Sequence, residues 1–376
     1  MTPACRPIVG AASAAILIVG LGGCSDGTGV AAAGTEEPVL NIYNWSDYIA
    51  DDTVAEFQRR TGIEVHYDVF DSNEVLETKL LAANTGYDLV VPTASFMERQ
   101  IMAGVFRPLD KSLLPNLKNL DPEILALASR HDPDMAHSIP YVWGTVGVGY
   151  NVDMVAQRMP DAPVDSARMV LDPEVVSRFA DCGVAILDAP TDISNTVLTF
   201  IGRDANSHNL DDLAAMEAQL MKVRPYIRYF HSSQYINDLA NGQICVALGW
   251  SGDVFIARDR AHEAGNGVNI TYTIPTEGTI IWFDMFAIPF DAPHPLNAHR
   301  FLDYMMEPEV IAAVTNQLGY PSGNAAALPY VDEAIRNDPG VYPPPEVRKR
   351  LSPDLAEPPS YTRKLNRAWT RIKTGR

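Results

Sequence analysis

Apolar positions along the chain recur with two periods, and the period switches every few residues. Val39, Leu40, Ile42 and Tyr43 read as a strand. Val54, Ala55 and Phe57 then fall on one side of a helix that starts at Asp51 or Asp52. Ile63 to Val69 alternates as a second strand. Val75, Leu76, Leu80 and Ala83 recur at helical spacing behind Asp71 and Glu74, which are spaced as a capping box, and Asn84-Thr85-Gly86 ends that helix. Tyr87 to Val91 is a third strand, and Pro92-Thr93-Ala94-Ser95 turns into a third helix that runs through Ala103. The order βαβαβα is that of a parallel sheet covered by helices.

Pro108 to Asp134 is Leu- and Pro-rich surface structure. Ser138 to Asn151 reads as two strands crossing between lobes, with Gly144, Gly147 and Gly149 admitting unusual backbone angles. A second α/β pattern follows. It comprises a helix from Asp172-Pro173 to Ala180, a strand from Val184 to Leu187, a helix after Asp188 to Asp192, and an amphipathic helix from Leu210 to Val223. Another helix runs from Ser232 or Ser233 to Asn241-Gly242. A buried strand from Ile244 to Leu248 leads into Gly249-Trp250-Ser251-Gly252-Asp253 and a helix. Val268 to Ile274 is a strand, Ile280 to Ile288 a second crossing strand, and Pro295 to Met306 a helix. The crossings divide the chain into lobe 1, 39–145 with 280–325, and lobe 2, 146–279 with 326–376. Past the break at Pro343-Pro344-Pro345, nine basic residues from Val347 onward face only Asp354 and Glu357. They read as a basic amphipathic helix packed on an acidic body, or else as a docking surface for a partner. No repeat of solenoid period is visible.

Composition narrows the function. The 376 residues allow two lobes, and 47% hydrophobic residues allow a full core. A net charge of −18 argues against a nucleic-acid partner and suits a cationic ligand. Arg6 and the apolar run Ile8 to Leu21 read as a signal peptide, 1–23, since the run is too short for a comfortable membrane span. It ends in Leu21-Gly22-Gly23-Cys24, which resembles the bacterial lipobox, with Gly22 where that pattern usually has Ala or Ser. The resemblance implies a lipid on Cys24. An ordinary signal peptide cut nearby is the other reading. Ser25 to Glu37 is then a flexible tether, within 24–38. With Cys5 removed and Cys24 lipidated, Cys182 and Cys245 remain as a disulfide in an exported protein, or as two buried thiols. Neither belongs to a Cys-x-x-Cys, and no cofactor or metal is expected.

The candidate chemistry sits on strand-to-helix loops, where open α/β sheets bind ligands. Asn44-Trp45-Ser46-Asp47-Tyr48 puts two aromatic rings, a hydroxyl and a carboxylate on the first of them. A carboxylate framed by rings suits an organic cation, although the same residues can cap a core and a helix. Trp250-Ser-Gly-Asp253 and Trp282-Phe-Asp284 repeat the grammar, with Asp253 open to a helix-capping role. Three such pairs spread over both lobes suggest one site lined by rings and acids. Enzyme signatures are missing. His262-Glu263 lacks a second His, Gly249-Trp250-Ser251-Gly252 misses the final Gly of a nucleophile elbow, and no Walker loop or complete dinucleotide fingerprint occurs. Paired carboxylates of a glycosidase type stay open on this reading.

Four stretches carry a family resemblance: Ile42 to Ala50, Tyr67 to Glu77, Tyr229 to Gly242, and the Gly249 motif. On them the chain resembles the periplasmic putrescine- and spermidine-binding proteins of polyamine ABC transporters, nearest the putrescine-binding branch. The resemblance implies an α/β fold of the two-lobed periplasmic-binding-protein type II, closing over its ligand. It implies a periplasmic, membrane-anchored monomer that delivers putrescine or spermidine to an inner-membrane ABC permease. A polyamine-sensing receptor and an exported carboxylate-based enzyme are the alternatives. Carried over by position, Trp45, Trp250 and Trp282 are walls of an aromatic box, and Tyr48 and Tyr320 close its ends. Asp253 and Asp284 pair with one ammonium, while Ser46, Asp47, Thr93, Asp192 and Ser232 receive the other. Cys182 and Cys245 match that branch's disulfide. Thr93, Asp192 and Trp282 depart from it, standing where it has Ser, Glu and Phe. The larger ring reshapes the box and leaves putrescine and spermidine both open.

Overall fold

The computed structural model describes residues 36–70 and 72–376. The signal segment, Cys24, the tether up to residue 35, and Asp71 of the expected capping box lie outside the described residues. Ser72 is the residue that caps that helix, its side chain accepting from the Val75 amide.

The strands are β1 (Val39–Trp45), β2 (Glu64–Phe70), β3 (Leu89–Val90), β4 (Ser138–Asn151), β5 (Val184–Ile186), β6 (Tyr229–Phe230), β7 (Val246–Trp250), β8 (Ile270–Thr273), β9 (Thr279–Ala287) and β10 (Leu351–Pro353). They run in the order β2-β1-β3-β9-β4-β7-β5-β6, with β10 beside β9 and β8 beside β4. β1 is parallel to β2 and β3, and β5 is parallel to β6 and β7, as the two α/β patterns require. Helices Thr53–Thr61, Asn73–Leu81 and Ala94–Met102 follow the first three strands. Leu40 and Ile42 bury on one face of β1 and Tyr43 on the other, because a parallel strand is covered on both sides.

The stretch from 138 to 151 is one strand of 14 residues, not two. It stays continuous by changing partner. Ser138 to Thr145 pairs with β9, and Val146 to Asn151 pairs with β7 and β8. Its glycines do not sit at unusual backbone angles. They allow close approach instead. A Cβ on Gly144 would strike the Trp282 ring, and one on Gly149 would lie 2.6 Å from Val254.

Cys182 and Cys245 form a disulfide, with their Cα atoms 5.6 Å apart. They stand just before β5 and β7, away from the strand ends that carry Asp188 and Trp250. The basic C-terminus is the helix Pro359–Thr374, which buries Tyr361, Leu365, Trp369 and Ile372. Arg371 pairs with Glu217 and Lys373 with Asp188, so the basic face does rest on acids of the body. No helix among the described residues is long and apolar enough to cross a membrane.

Candidate functional site

The chain leaves β1 at Trp45 and must turn before the next helix. Asp47 takes φ 52° in that turn, a left-handed conformation that a short polar side chain tolerates. Asn44 holds the turn, donating to Tyr67 Oη at 2.8 Å and to the Tyr48 carbonyl at 3.3 Å. The Trp45 indole N–H reaches the Val91 carbonyl at 3.0 Å, and Tyr141 donates to the Tyr48 carbonyl at 2.6 Å. The loop is thereby fixed with Trp45, Ser46, Asp47 and Tyr48 all facing one cleft of about 590 Å³. Thr93, Asp192, Ser232, Trp250, Asp253, Trp282, Asp284 and Tyr320 line the same cleft. All twelve residues singled out in the sequence therefore meet in one place.

Asp284 rises from β9 into the cleft and is buried. Tyr48 Oη donates to its Oδ2 at 2.7 Å, and Thr93 Oγ1 donates to its Oδ1 at 2.7 Å. Asn73 orients Thr93, donating to Oγ1 and accepting from its amide. Thr93, expected to serve the second ammonium, is thereby hydrogen-bonded to Asp284. Asp253 is held in the same manner, by Tyr235 at 2.8 Å and Tyr320 at 3.1 Å. It lies in the first turn of the helix Ser251–Ala264 and its carboxylate engages tyrosines, so the capping reading does not hold. Tyr48 and Tyr320 meet edge to face with centroids 5.8 Å apart, and Trp282 stands 5.2 Å from Tyr320. The two carboxylates thus flank one aromatic cluster.

Burial pushes both carboxyls up, Asp253 to about 6 and Asp284 to about 6, against the hydroxyl donors that pull them down. Asp192 accepts the Trp250 indole N–H at 2.6 Å and is raised by burial and by the charge of Asp354. The segment carrying Asp192 is anchored by Asp188, which accepts from Trp369 at 2.7 Å and from Lys373. Arg260 is the one Lys or Arg among the described lining residues, so the cleft is strongly electronegative. A second cavity, of about 730 Å³, is lined by Asp121 and Glu123 but also by Arg336 and Arg348, and has no such excess. No group of three or more His, Cys, Asp or Glu among the described residues could hold a metal ion.

The sequence reading missed three contributors. Tyr235 and Arg260 were not singled out, and Asp354 appeared only as one of two acids in a basic tail. The interruption of the basic run at Asp354 and Glu357 was the available signal.

An acidic, ring-lined cleft in a sheet whose two halves share crossing strands is the architecture of a two-lobed solute-binding protein. The chain belongs to the bacterial extracellular solute-binding protein family, whose sequence profile matches residues 52–343. It is 53% identical to the putrescine-binding periplasmic protein PotF of Escherichia coli over 92% of this chain and 94% of that one. It is 51% identical to the putrescine-binding periplasmic protein SpuD of Pseudomonas aeruginosa, again over 92% of this chain and 94% of that one. Among solved structures it is similar to the spermidine/putrescine ABC transporter substrate-binding protein PotD of Streptococcus pneumoniae. The TM-score is 0.77 at 26% identity, over 90% of this chain and 99% of that one.

Proposed function

We propose that this chain captures a linear polyamine, putrescine or spermidine, in the cleft and delivers it to an inner-membrane ABC permease. The observation that carries the reading is the pair Asp253 and Asp284. Each is a buried carboxylate held by neutral hydroxyls, and neither forms a salt bridge among the described residues. Arg260 near Asp253 is the one Lys or Arg lining the cleft beside the rings of Trp45, Trp250 and Trp282. An alkyl ammonium supplies the missing charge and packs its methylenes on the rings. Relatives 53% and 51% identical that are named for putrescine binding support the same ligand class.

In this reading the lobes, 39–145 with 280–325 and 146–279 with 326–376, close over the ligand. The partner change in β4 between Thr145 and Val146 supports a hinge there. The receptor binds one ligand as a monomer, releases it chemically unchanged, and is tethered to the membrane through a lipid on Cys24. The test is isothermal titration of the chain from residue 25 onward, unfolded and refolded to strip carried-over ligand. One-to-one binding of putrescine or spermidine is expected. No heat with putrescine, spermidine, cadaverine or agmatine would remove the reading and leave only the fold. Mass spectrometry of the full chain from membranes tests the lipid, and an unmodified Cys24 would remove the anchor.

A further inference from the structure

The last stretch of the chain carries a charge that the cleft does not use. The net charge is −18, yet from Val347 onward nine basic residues meet only Asp354 and Glu357. Neither acid answers the exposed cations. Asp354 lines the cleft and is 4% exposed, and Glu357 is half-buried with the Thr362 and Thr191 hydroxyls against it. Three of the nine find acids elsewhere on the body: Arg348 pairs with Glu123, Arg371 with Glu217 and Lys373 with Asp188. The other six, Lys349, Arg350, Arg363, Lys364, Arg367 and Arg376, are exposed and form no salt bridge among the described residues.

Half of these unpaired cations share one face of the helix Pro359–Thr374. Tyr361, Leu365, Ala368, Trp369 and Ile372 recur at three- and four-residue spacing and are buried, so the apolar side of the helix is already covered. Arg363, Lys364 and Arg367 lie on the other side, with Thr370 and Thr374 exposed beyond them. The helix is a fixed platform and not a loose tail. The Trp369 indole donates to Asp188 at 2.7 Å, and Arg224 donates twice to the Lys373 carbonyl, at 3.0 and 2.9 Å. None of the exposed large apolar side chains among the described residues belongs to this helix. A specific protein interface draws most of its affinity from a few anchors packed into pockets, many of them aromatic, and this face offers no aromatic ring. A layer of anionic headgroups needs only long cations on an even face, and each one near the surface adds to the attraction. Salt screens beyond about 10 Å at 0.1 M, so the patch acts locally although the whole chain is acidic.

We propose that Arg363, Lys364 and Arg367 rest this helix on a bilayer rich in anionic phospholipid. The contact is electrostatic and does not insert, since the helix has no apolar side left to bury. The test is co-sedimentation of the chain from residue 25 onward, which lacks Cys24 and any lipid on it. The vesicles are phosphatidylglycerol mixed with phosphatidylcholine, and phosphatidylcholine alone. Wild type is expected to bind the mixed vesicles and not the neutral ones, and to be released when salt is raised from about 0.1 M to about 1 M. Arg363→Gln, Lys364→Gln and Arg367→Gln together are expected to weaken the partitioning by about tenfold or more. Lys111→Gln, Lys118→Gln and Arg130→Gln make the same change of net charge at exposed positions elsewhere and are expected to leave it within about twofold. Melting curves check that both variants fold. If the helix triple does not, Arg363→Gln and Lys364→Gln made singly decide instead, each with a loss of about threefold. Wild type that ignores the mixed vesicles, binding that salt does not release, or equal losses in the two triple variants would each overturn the proposal. Absent vesicle binding together with lost polyamine uptake by cells carrying the helix variant assigns the face to an acidic protein, and overturns it too.

Discussion

Tyr48 donates its hydroxyl to Asp284 at 2.7 Å across 236 residues of chain, and so locks the first strand-to-helix loop to the crossing strand β9. The bond favours the ionised carboxylate, which burial alone disfavours. Tyr48→Phe removes it and leaves Thr93 as the donor. The ring stays packed on Tyr141 and Tyr320, so the fold is kept. The expected outcome is that the acid limb of polyamine binding moves to higher pH than in wild type, with little loss at pH 8. Titration calorimetry across the pH range reads this directly, and a limb that does not move means that the hydroxyl leaves Asp284 unaffected.

In wild type, Asp253 and Asp284 ionise near 6, and an ammonium pairs with the ionised form. Binding should therefore strengthen as pH rises through about 6 and level off well below the ordinary amine range, near 10. Binding at pH 6 should also release protons, seen as heats that depend on the ionisation enthalpy of the buffer. Affinity that does not change between pH 5 and 8 would sink the ionised-carboxylate role.

Stability of the empty protein should run the other way. Raised carboxyls hold more protons folded than unfolded, so their contribution is full below the unfolded carboxylate range, near 4, and is lost as pH rises through the folded values. Asp253 and Asp284 at about 6 and Glu357 at about 7 set that window, with Asp192 and Asp354 raised in the same direction. These groups make the ligand-free chain less stable at pH 8 than at pH 5. Saturating polyamine should reverse the order. Melting curves at both pH values, with and without ligand, check it.

Much of this site could be read before any coordinates, because each Trp-and-acid pair is local in sequence and lies at the end of a strand or, for Trp282 and Asp284, within one whose periodicity is also local. What stayed hidden is non-local. β4 looked like two strands since nothing in its sequence says that it changes partner after Thr145. Gly144 looked conformational, yet its smallness is set by a Trp282 ring from another strand. Asp354 became a site residue only through the register of β10 on β9, and Tyr235 only through its reach to Asp253.

The disulfide should matter to stability and not to binding. It closes a span of 63 residues, which in the chain-entropy account contributes about 4 kcal/mol. Replacing Cys182 and Cys245 together by Ala should lower the denaturant midpoint accordingly. Polyamine affinity should stay within about twofold, since both cysteines precede their strands and the ligand-facing residues follow them. A large loss of affinity would mean that the bond shapes the cleft.

Gly252 decides whether Tyr320 is a fixed wall. A Cβ at this position would run into the Tyr320 ring, which is hemmed in by Tyr48 and Trp282. On helix propensity alone, Gly252→Ala should stabilise the protein by about 0.5–1 kcal/mol. Overpacking opposes that, and typically costs about 1–3 kcal/mol in a filled site. Overpacking should win, because Tyr320 is buried and its hydroxyl is spent on Asp253. The variant is expected to melt lower and to bind polyamine about tenfold or more weaker, as the displaced ring releases Asp253 and presses on the Tyr48–Asp284 bond. A variant that melts higher and binds normally would show that Tyr320 swings aside freely and is not part of the closed end.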